Sequence, residues 1–182
     1  MSEFESRQQG ERRVQNDPNY SGKERRAMAD RRKENNKQYS TFYIADRLYG
    51  IEVKEVQEVT RSLPMTQVPL SPDYIYGLIN LRGQIATAIG LRELFKIEGE
   101  KPEKQMNVVC RLDDLLISLS VDRIGDVLEI GDSFFEATPD TLPDSVKKFM
   151  NGVYKTSDTL LSVVDIQKIL EAVNSEKEKK AS

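Results

Sequence analysis

The longest apolar stretch of this chain, residues 74–94, most constrains its fold. It reads YIYGLINLRGQIATAIGLREL, two apolar runs separated by the polar insert at 80–84. This pattern predicts a strand, a tight turn and a second strand. Gly77 lies inside the first run and Gly83 in the turn, and a glycine within a strand indicates a bulge or a close approach of two backbones. Arg82 is then a charged residue at a turn between two apolar strands. This position favours a partner-binding surface over a catalytic site.

The composition removes most catalytic and metal-binding chemistry. The chain has no histidine, the most common general base and metal ligand. Its single cysteine, Cys110, excludes an intrachain disulfide and a multi-cysteine metal site. Phosphate-binding loops of the GxxxxGK[ST] or GxGxxG type are absent. We therefore expect a protein that is not an enzyme and that has no cofactor.

Residues 1–38 differ in composition from the rest of the chain. They carry 10 basic and 7 acidic side chains and few apolar residues, so we expect a disordered polar and basic arm. The net charge of −3 for the whole chain predicts neither nucleic-acid nor membrane binding. An arm-dependent nucleic-acid binder is the alternative, and a steep salt dependence of DNA binding would reveal it.

The chain also lacks targeting signals. The first 20 residues have no apolar segment of the kind found in secretory signals. No uncharged apolar run reaches the roughly 18 residues that a membrane-spanning helix needs. We therefore expect a cytoplasmic protein, with a charged tail at 174–182 that frays.

Between the arm and the tail, residues 39–173 form short β-branched runs broken by turns. Besides the two strands of the opening stretch, strands are predicted at 39–45, 48–53, 106–112, 115–121, 149–154 and 160–166. Helices are predicted at 91–96 and 165–173, with a short helix after 53 that becomes a strand near 58, and a loop at 130–146. The chain is therefore expected to be mostly β.

The two halves of this region repeat one pattern. Residues 53–59 read V-x-x-V-x-x-V, and residues 121–127 read V-x-x-I-x-x-V. Gly77 and Gly152 each lie in a predicted strand at matching places. An internal duplication of a small β unit explains this similarity.

Each half is near the lower limit of length for burying a core alone. We therefore predict two lobes, about 39–97 and 106–173, that pack on each other and whose closing segments exchange. Many short strands with frequent turns favour barrels over an open sheet.

Two interpretations of the residues around Arg82 are open from the residues alone. Arg82 is either a partner-facing arginine or a solvated turn residue, since arginine is enriched at binding hot spots. Val56 and Val59 are either the floor of an apolar groove with Glu58 on its rim, or core residues with Glu58 in water. For the valines, composition favours the core.

Other candidate sites have simple structural interpretations. Asp113 and Asp114 are predicted to form a hairpin turn. Asp122 and Asp126 are predicted on a solvent face, and neither pair has the spacing of a calcium loop. Cys110, flanked by apolar and basic residues in a strand, is predicted to be buried. No metal site is expected.

Taken together, these residues resemble the CheW-like domain. Residues 76–85, YGLINLRGQI, are similar to the family signature G-V-I-N-L-R-G with its preceding aromatic or small residue. Further segments that resemble family elements are VQEV at 56–59, LSVDRIGDVL at 119–128, FMNGV at 149–153, and 161–170. The match runs in order through about residues 39–173.

The resemblance implies two pseudo-repeated, five-stranded SH3-like barrels packed on a shared core, with short helices and a C-terminal helix. It also implies a non-catalytic adaptor that couples the cytoplasmic tips of methyl-accepting chemoreceptors to the histidine kinase CheA. Such an adaptor is cytoplasmic, is recruited to receptor arrays at the membrane, and binds no nucleic acid. The alternative is an adaptor of a non-flagellar pathway, such as a pilus or surface-motility system.

The resemblance also assigns residues to these roles. The positions that match receptor contacts are Val56, Glu58, Val59, Asn80 and Arg82. Gly77 and Leu78 match positions that affect kinase binding.

Two residues depart from the family pattern. Thr87 stands where the family has proline and Gly90 where it has aspartate, whereas the second half keeps its aspartate as Asp165. Glycine is a weaker helix N-cap than aspartate by a few tenths of a kcal/mol, so we expect a weakened cap at 90.

Overall fold

The computed structural model describes residues 36–61, 63–155 and 160–181, with the backbone alone for 176–181. The predicted arm at 1–38 lies outside the described residues up to position 35. Its last three residues are not an arm, however, because the first strand begins at Asn36. The side chains of Asn36 and Gln38 donate hydrogen bonds of 3.0 and 3.3 Å to the carboxylate of Glu129 on a neighbouring strand. These cross-strand bonds extend the strand beyond its apolar part.

Within the described residues the chain forms two six-stranded sheets. The sheet that we call lobe A contains, in spatial order, β10 (Phe135–Glu136), β11 (Met150–Lys155), β12 (Leu160–Val164), β2 (Arg47–Glu52), β1 (Asn36–Ile44) and β9 (Arg123–Gly131). The sheet that we call lobe B contains β3 (Val56–Arg61), β7 (Met106–Leu112), β8 (Leu115–Val121), β6 (Gln84–Gly90), β5 (Ile75–Leu81) and β4 (Met65–Thr66). The helices are α1 (Leu91–Phe95), α2 (Asp144–Lys147) and α3 (Ile166–Ala181), with 3-10 turns at Val53–Glu55 and Asp132–Phe134. The mostly β, two-lobed class is confirmed; each lobe has five principal strands and a sixth of two residues.

The internal duplication is visible in the strand order. When each strand of lobe A is replaced by the strand six places earlier or later in the chain, the order becomes β4-β5-β6-β8-β7-β3. This is the strand order of lobe B read backwards. The parallel pair β2–β12 of lobe A thus corresponds to the parallel pair β6–β8 of lobe B. All other strand pairs in the two sheets are antiparallel.

The predicted lobe boundaries, about 39–97 and 106–173, are wrong. The opening hairpins exchange and not the closing segments: β1–β2 lies in the sheet of the second half, and β7–β8 lies in the sheet of the first half. The exchange takes place at the connection after each hairpin: only Val53–Glu55 separates β2 from β3, and only Asp122 separates β8 from β9. At each of these points the chain passes from one sheet to the other, and β1 and β2 pair with β9 and β12 of the second half.

The largest cluster of buried side chains lies between the lobes and is shared by them. A row of aromatic rings crosses it: Phe42 and Tyr49 of lobe A, Phe95 of α1, and Phe149 before β11. Successive ring centroids are 6.1, 5.6 and 5.7 Å apart. Aromatic pairs at these separations each add about 0.5–1.5 kcal/mol beyond the area that they bury.

Strand β7 shows how one strand contributes to two cores. Val108 and Cys110 face the shared core, whereas Val109 faces the interior of lobe B. This alternation follows from the two-residue period of a strand. Cys110 is fully buried, as predicted, and burial raises the pKa of its thiol.

Helix α3 is longer than the amphipathic segment predicted at 165–173. Its buried face is Ile166, Ile169, Leu170 and Val173. The backbone N–H of Lys168 donates a 3.1 Å hydrogen bond to the Asp165 carboxylate, which caps the first turn. Residues 174–181, predicted as a tail, continue the helix, because most of them are good helix formers. Among the described residues, no helix is long and apolar enough to span a membrane.

At Gly90, the N-cap of α1, no side chain caps the helix, as expected. A Cβ at Gly90 would lie 2.3 Å from Cζ of Tyr76 and 2.3 Å from Oε2 of Glu93. The Tyr76 hydroxyl donates a 2.5 Å hydrogen bond to that same carboxylate oxygen. Glycine therefore leaves room for a tyrosine–glutamate contact that an aspartate at this position would displace.

Gly90→Ala should lower the free energy of unfolding by about 1–3 kcal/mol, the usual cost of overpacking. In a Tyr76→Ala background the same substitution should cost less, because the aromatic ring is no longer in its way. Urea unfolding of the two single variants and the double variant measures this coupling. An equal cost of Gly90→Ala in both backgrounds would contradict the steric explanation.

Candidate partner-binding site

The turn between β5 and β6 presents Arg82 to solvent. Arg82 and Gly83 have φ angles of 51° and 90°. Positive φ at both central residues is the requirement of the type I′ turn, whose twist matches that of a hairpin. The Asn80 side-chain oxygen accepts a 2.8 Å hydrogen bond from the backbone N–H of Gly83. The predicted strand–turn–strand is confirmed, and Asn80 shapes the turn.

Arg82 forms an ion pair with Glu58 on β3. Its Nη2 lies 2.8 Å from Oε2 of Glu58, and its side chain is 82% exposed whereas that of Glu58 is 22% exposed. Strands β3 and β6 are not neighbours in the sheet order, so lobe B curls to bring the turn against β3. Oε1 of Glu58 is buried and has no hydrogen-bond partner within the described part of the chain. Glu58 is therefore a partly buried ion-pair partner and not a freely solvated side chain.

Val59 is not in the core. Along β3, residues alternate between partly buried and exposed, so Val56 packs against the shared core and Val59 is 40% exposed. The register of β3 with β7 shifts between Val56 and Glu58, so the two valines lie opposite residues of β7 that share one face. Glu58 lies opposite Val109, and its side chain is therefore on the other face of β3.

Two exposed apolar residues near this surface were missed. Ile85, just after the turn, is 60% exposed, and Leu115, at the start of β8, is 53% exposed. In the parallel pairing of β6 and β8, Thr87 is opposite Ile117. Extending that register by two residues places Ile85 beside Leu115. The signal in the sequence was an apolar residue directly after each of two polar turns.

Arg111 of β7 forms hydrogen bonds to two other strands of this surface. Its Nε donates a 3.0 Å hydrogen bond to the side-chain oxygen of Gln57 on β3. Its Nη2 donates a 2.8 Å hydrogen bond to the side-chain oxygen of Gln84, the first residue of β6. The Arg82 turn is therefore held against β3 by two arginines, one on each side of the contact.

Gly77 and Leu78 lie further along β5, away from the turn. Gly77 is buried with φ of 148°, and a Cβ there would lie 2.5 Å from the carbonyl oxygen of Thr66 on β4. The pairing of β5 with β6 shifts register between Ile75 and Gly77. The predicted bulge and close backbone approach are therefore both present. Leu78 is partly buried and pairs with Thr66 and with Thr87.

A buried ion pair that the sequence analysis missed joins the two halves of the chain. Nε of Arg92 is 2.8 and 3.0 Å from the two carboxylate oxygens of Asp122, and its Nη2 is 2.7 Å from one of them. The two side chains are 7% and 11% exposed, so the prediction that Asp122 lies on a solvent face is wrong. Asp122 also accepts a 2.6 Å hydrogen bond from the backbone N–H of Ala45. The described residues contain no cluster of three or more potential metal ligands.

Comparisons with known proteins agree with this geometry. The CheW-like domain model matches residues 38–174. The chemotaxis protein CheW of Helicobacter pylori is 29% identical over 152 residues, which is 81% of this chain and 92% of the relative. That of Thermotoga maritima is 29% identical over 133 residues, 73% of this chain and 87% of the relative. The crystal structure of the scaffolding protein TtCheW from Thermoanaerobacter tengcongensis has a TM-score of 0.64 and 29% identity, covering 71% of this chain and 88% of its own.

The matched segment includes both lobes, the Arg82 turn and the Arg92–Asp122 pair. The resemblance first noted in short motifs therefore extends over most of the chain and over its fold. This chain belongs to the CheW-like family, whose members are scaffolding adaptors without catalytic activity.

Proposed function

We propose that this chain couples the cytoplasmic tips of methyl-accepting chemoreceptors to a CheA-type histidine kinase in signalling arrays. One observation carries the proposal. The Arg82–Glu58 contact unites the N-L-R-G turn and the V-x-E strand, which are 24 residues apart in sequence, on one accessible surface. Both segments were assigned to receptor contact. The adaptor would be recruited to the arrays by this contact.

The chemistry of the surface fits a receptor helix that carries a carboxylate beside an apolar side chain. Glu58 occupies only Nη2 of Arg82. Nη2 keeps a second N–H, so one bidentate edge of the guanidinium, Nη2 with either Nη1 or Nε, stays open to a partner carboxylate, and bidentate pairs are the strongest charge-assisted hydrogen bonds. Ile85, which follows the turn and is 60% exposed, offers an apolar contact near Arg82. Arginine next to an apolar residue is a common composition for a binding hot spot.

The kinase would bind elsewhere on lobe B, near Gly77 and Leu78. Gly77 has no side chain to offer, so its part would be indirect: it lets the backbone of β4 approach β5. β4 pairs only with β5 and forms an edge of the sheet. A barrel edge of this kind can receive a matching barrel of the kinase. Signal would then pass as a change in the placement of the kinase and not as chemistry in this chain.

Arg82→Ala and Glu58→Ala should each weaken binding to a receptor cytoplasmic fragment by about tenfold or more, the effect of losing a hot-spot residue. Arg82→Ala removes the donor, and Glu58→Ala removes the carboxylate that holds it in place. Calorimetric titration with the fragment measures the change, and circular dichroism shows that both variants stay folded.

Arg61→Ala is the matched control, because Arg61 is also exposed and lies on the same strand. It should bind within about twofold of the unmodified chain, as is usual for surface changes outside a contact. If Arg82→Ala and Glu58→Ala both bind as tightly as this control, the receptor surface is assigned wrongly.

A further inference from the structure

A cleft beside the Arg92–Asp122 pair has an unusual charge distribution. It is lined by the β1–β2 turn, the ion pair and the connector between the two halves: Ala45, Asp46, Arg92, Asp122 and residues 98–103. Its volume is roughly 560 Å³. It is built from segments that the proposed adaptor surface does not use.

The carboxylates of the cleft outnumber the available cations. Its two basic residues are both engaged, Arg92 with Asp122 and Lys101 with Glu93 on α1. The remaining acidic side chains form no ion pair or hydrogen bond in the described ranges. These are Asp46, Glu98, Glu100 and Glu103. All of them are exposed, so the rim of the cleft is strongly acidic.

The floor of the cleft holds an unused hydrogen-bond donor. Nη1 of Arg92 is buried and has no acceptor among the residues described, although Nε and Nη2 are both bonded. It lies 3.8 Å from the position of a Cβ on Gly99, another residue of the cleft wall. Because Gly99 has no side chain, an acceptor atom entering the cleft is not blocked there. A buried donor normally has a partner.

We propose that this cleft binds a basic peptide segment of a partner protein. A main-chain carbonyl of the segment accepts a hydrogen bond from Nη1 of Arg92, and its lysine or arginine side chains pair with the carboxylates of the rim. The combination of a neutral acceptor and several positive charges is typical of such a segment. The inference is independent of the receptor and kinase surfaces, which are built from strands of lobe B that do not line this cleft.

The probe is capped tetra-arginine, titrated into the full chain by calorimetry and by amide NMR at low salt. We expect saturable binding, with amide shifts at Asp46, at residues 98–101 and at Glu103. The triple variant Glu98→Gln, Glu100→Gln, Glu103→Gln should lower the affinity by about tenfold, since exposed ion pairs contribute modestly but add together. The control triple Asp114→Asn, Asp126→Asn, Glu136→Gln removes the same charge at exposed positions elsewhere and should bind within about twofold of the unmodified chain.

Spermine tests the role of Arg92 without disturbing its ion pair. It carries the same charge as tetra-arginine but has no carbonyl, so it should bind about fivefold more weakly, the value of one hydrogen bond. Equal affinity of the two probes would show that no peptide carbonyl bonds to Nη1 of Arg92, and this would overturn the proposal. An equal loss in the two triple variants, or no saturable binding of tetra-arginine, would overturn it as well.

Discussion

Asp122→Asn should lower the free energy of unfolding by about 3–5 kcal/mol, the usual cost of removing one partner from a buried ion pair. Arg92 would keep its charge at 7% exposure without a counter-ion. The amide oxygen of asparagine could still accept the hydrogen bond from Ala45. The loss of stability would therefore come from the missing negative charge. Urea or thermal unfolding followed by circular dichroism measures it.

Two comparisons separate this effect from a general loss of charge. Asp126→Asn makes the same chemical change four residues away at an exposed position and should stay within about 0.5 kcal/mol. Adding Arg92→Met to Asp122→Asn removes the uncompensated charge and should recover part of the stability. If Asp122→Asn costs no more than Asp126→Asn, the pair does not hold the two halves together.

Gly77→Ala should cost about 2–4 kcal/mol, because it combines an unfavourable backbone angle with a steric clash. The new Cβ would lie 2.5 Å from the carbonyl oxygen of Thr66, which is main chain and cannot move aside as a side chain would. Strand β4 would have to separate from β5. Denaturant unfolding gives the size of the loss.

Gly83→Ala is the matched control for this clash. Gly83 also has positive φ, at 90°, but no atom lies within 4 Å of its Cβ position. Its replacement should cost only the conformational penalty of about 1–2 kcal/mol. Equal losses at Gly77 and Gly83 would mean that backbone conformation alone, and not the approach of β4, explains the glycine at 77.

The features that could be predicted from the sequence are local. The Arg82 turn follows from one polar break between apolar runs, and the duplication follows from matching spacings. The glycine at 77 indicated a bulge because few other reasons place glycine inside a strand. The turn and the bulge depend on residues a few positions apart, and the duplication depends on comparing short segments whose own spacings are local.

The features that could not be predicted depend on contacts between distant segments. Arg92 and Asp122 are 30 residues apart, and each has an ordinary polar neighbourhood in sequence. The exchange of hairpins depends on which sheet a short connection reaches. Asn36 joins β1 because it pairs with Gly131 of β9 and its side chain bonds to Glu129, which are both far away in sequence. Val59 was assigned to the core on composition, but its 40% exposure depends on which distant segments cover its face of β3.

The exchange of hairpins also sets the order in which the lobes can be completed during synthesis. Lobe B is continuous in the chain, from β3 to β8, so its strands leave the ribosome one after another with no strand of lobe A between them. Lobe A needs β1 and β2 from the beginning of the fold and β9 to β12 from its end. The first hairpin to be made can pack on lobe B through the shared core, but both its edges stay unpaired until β9 and β12 have emerged.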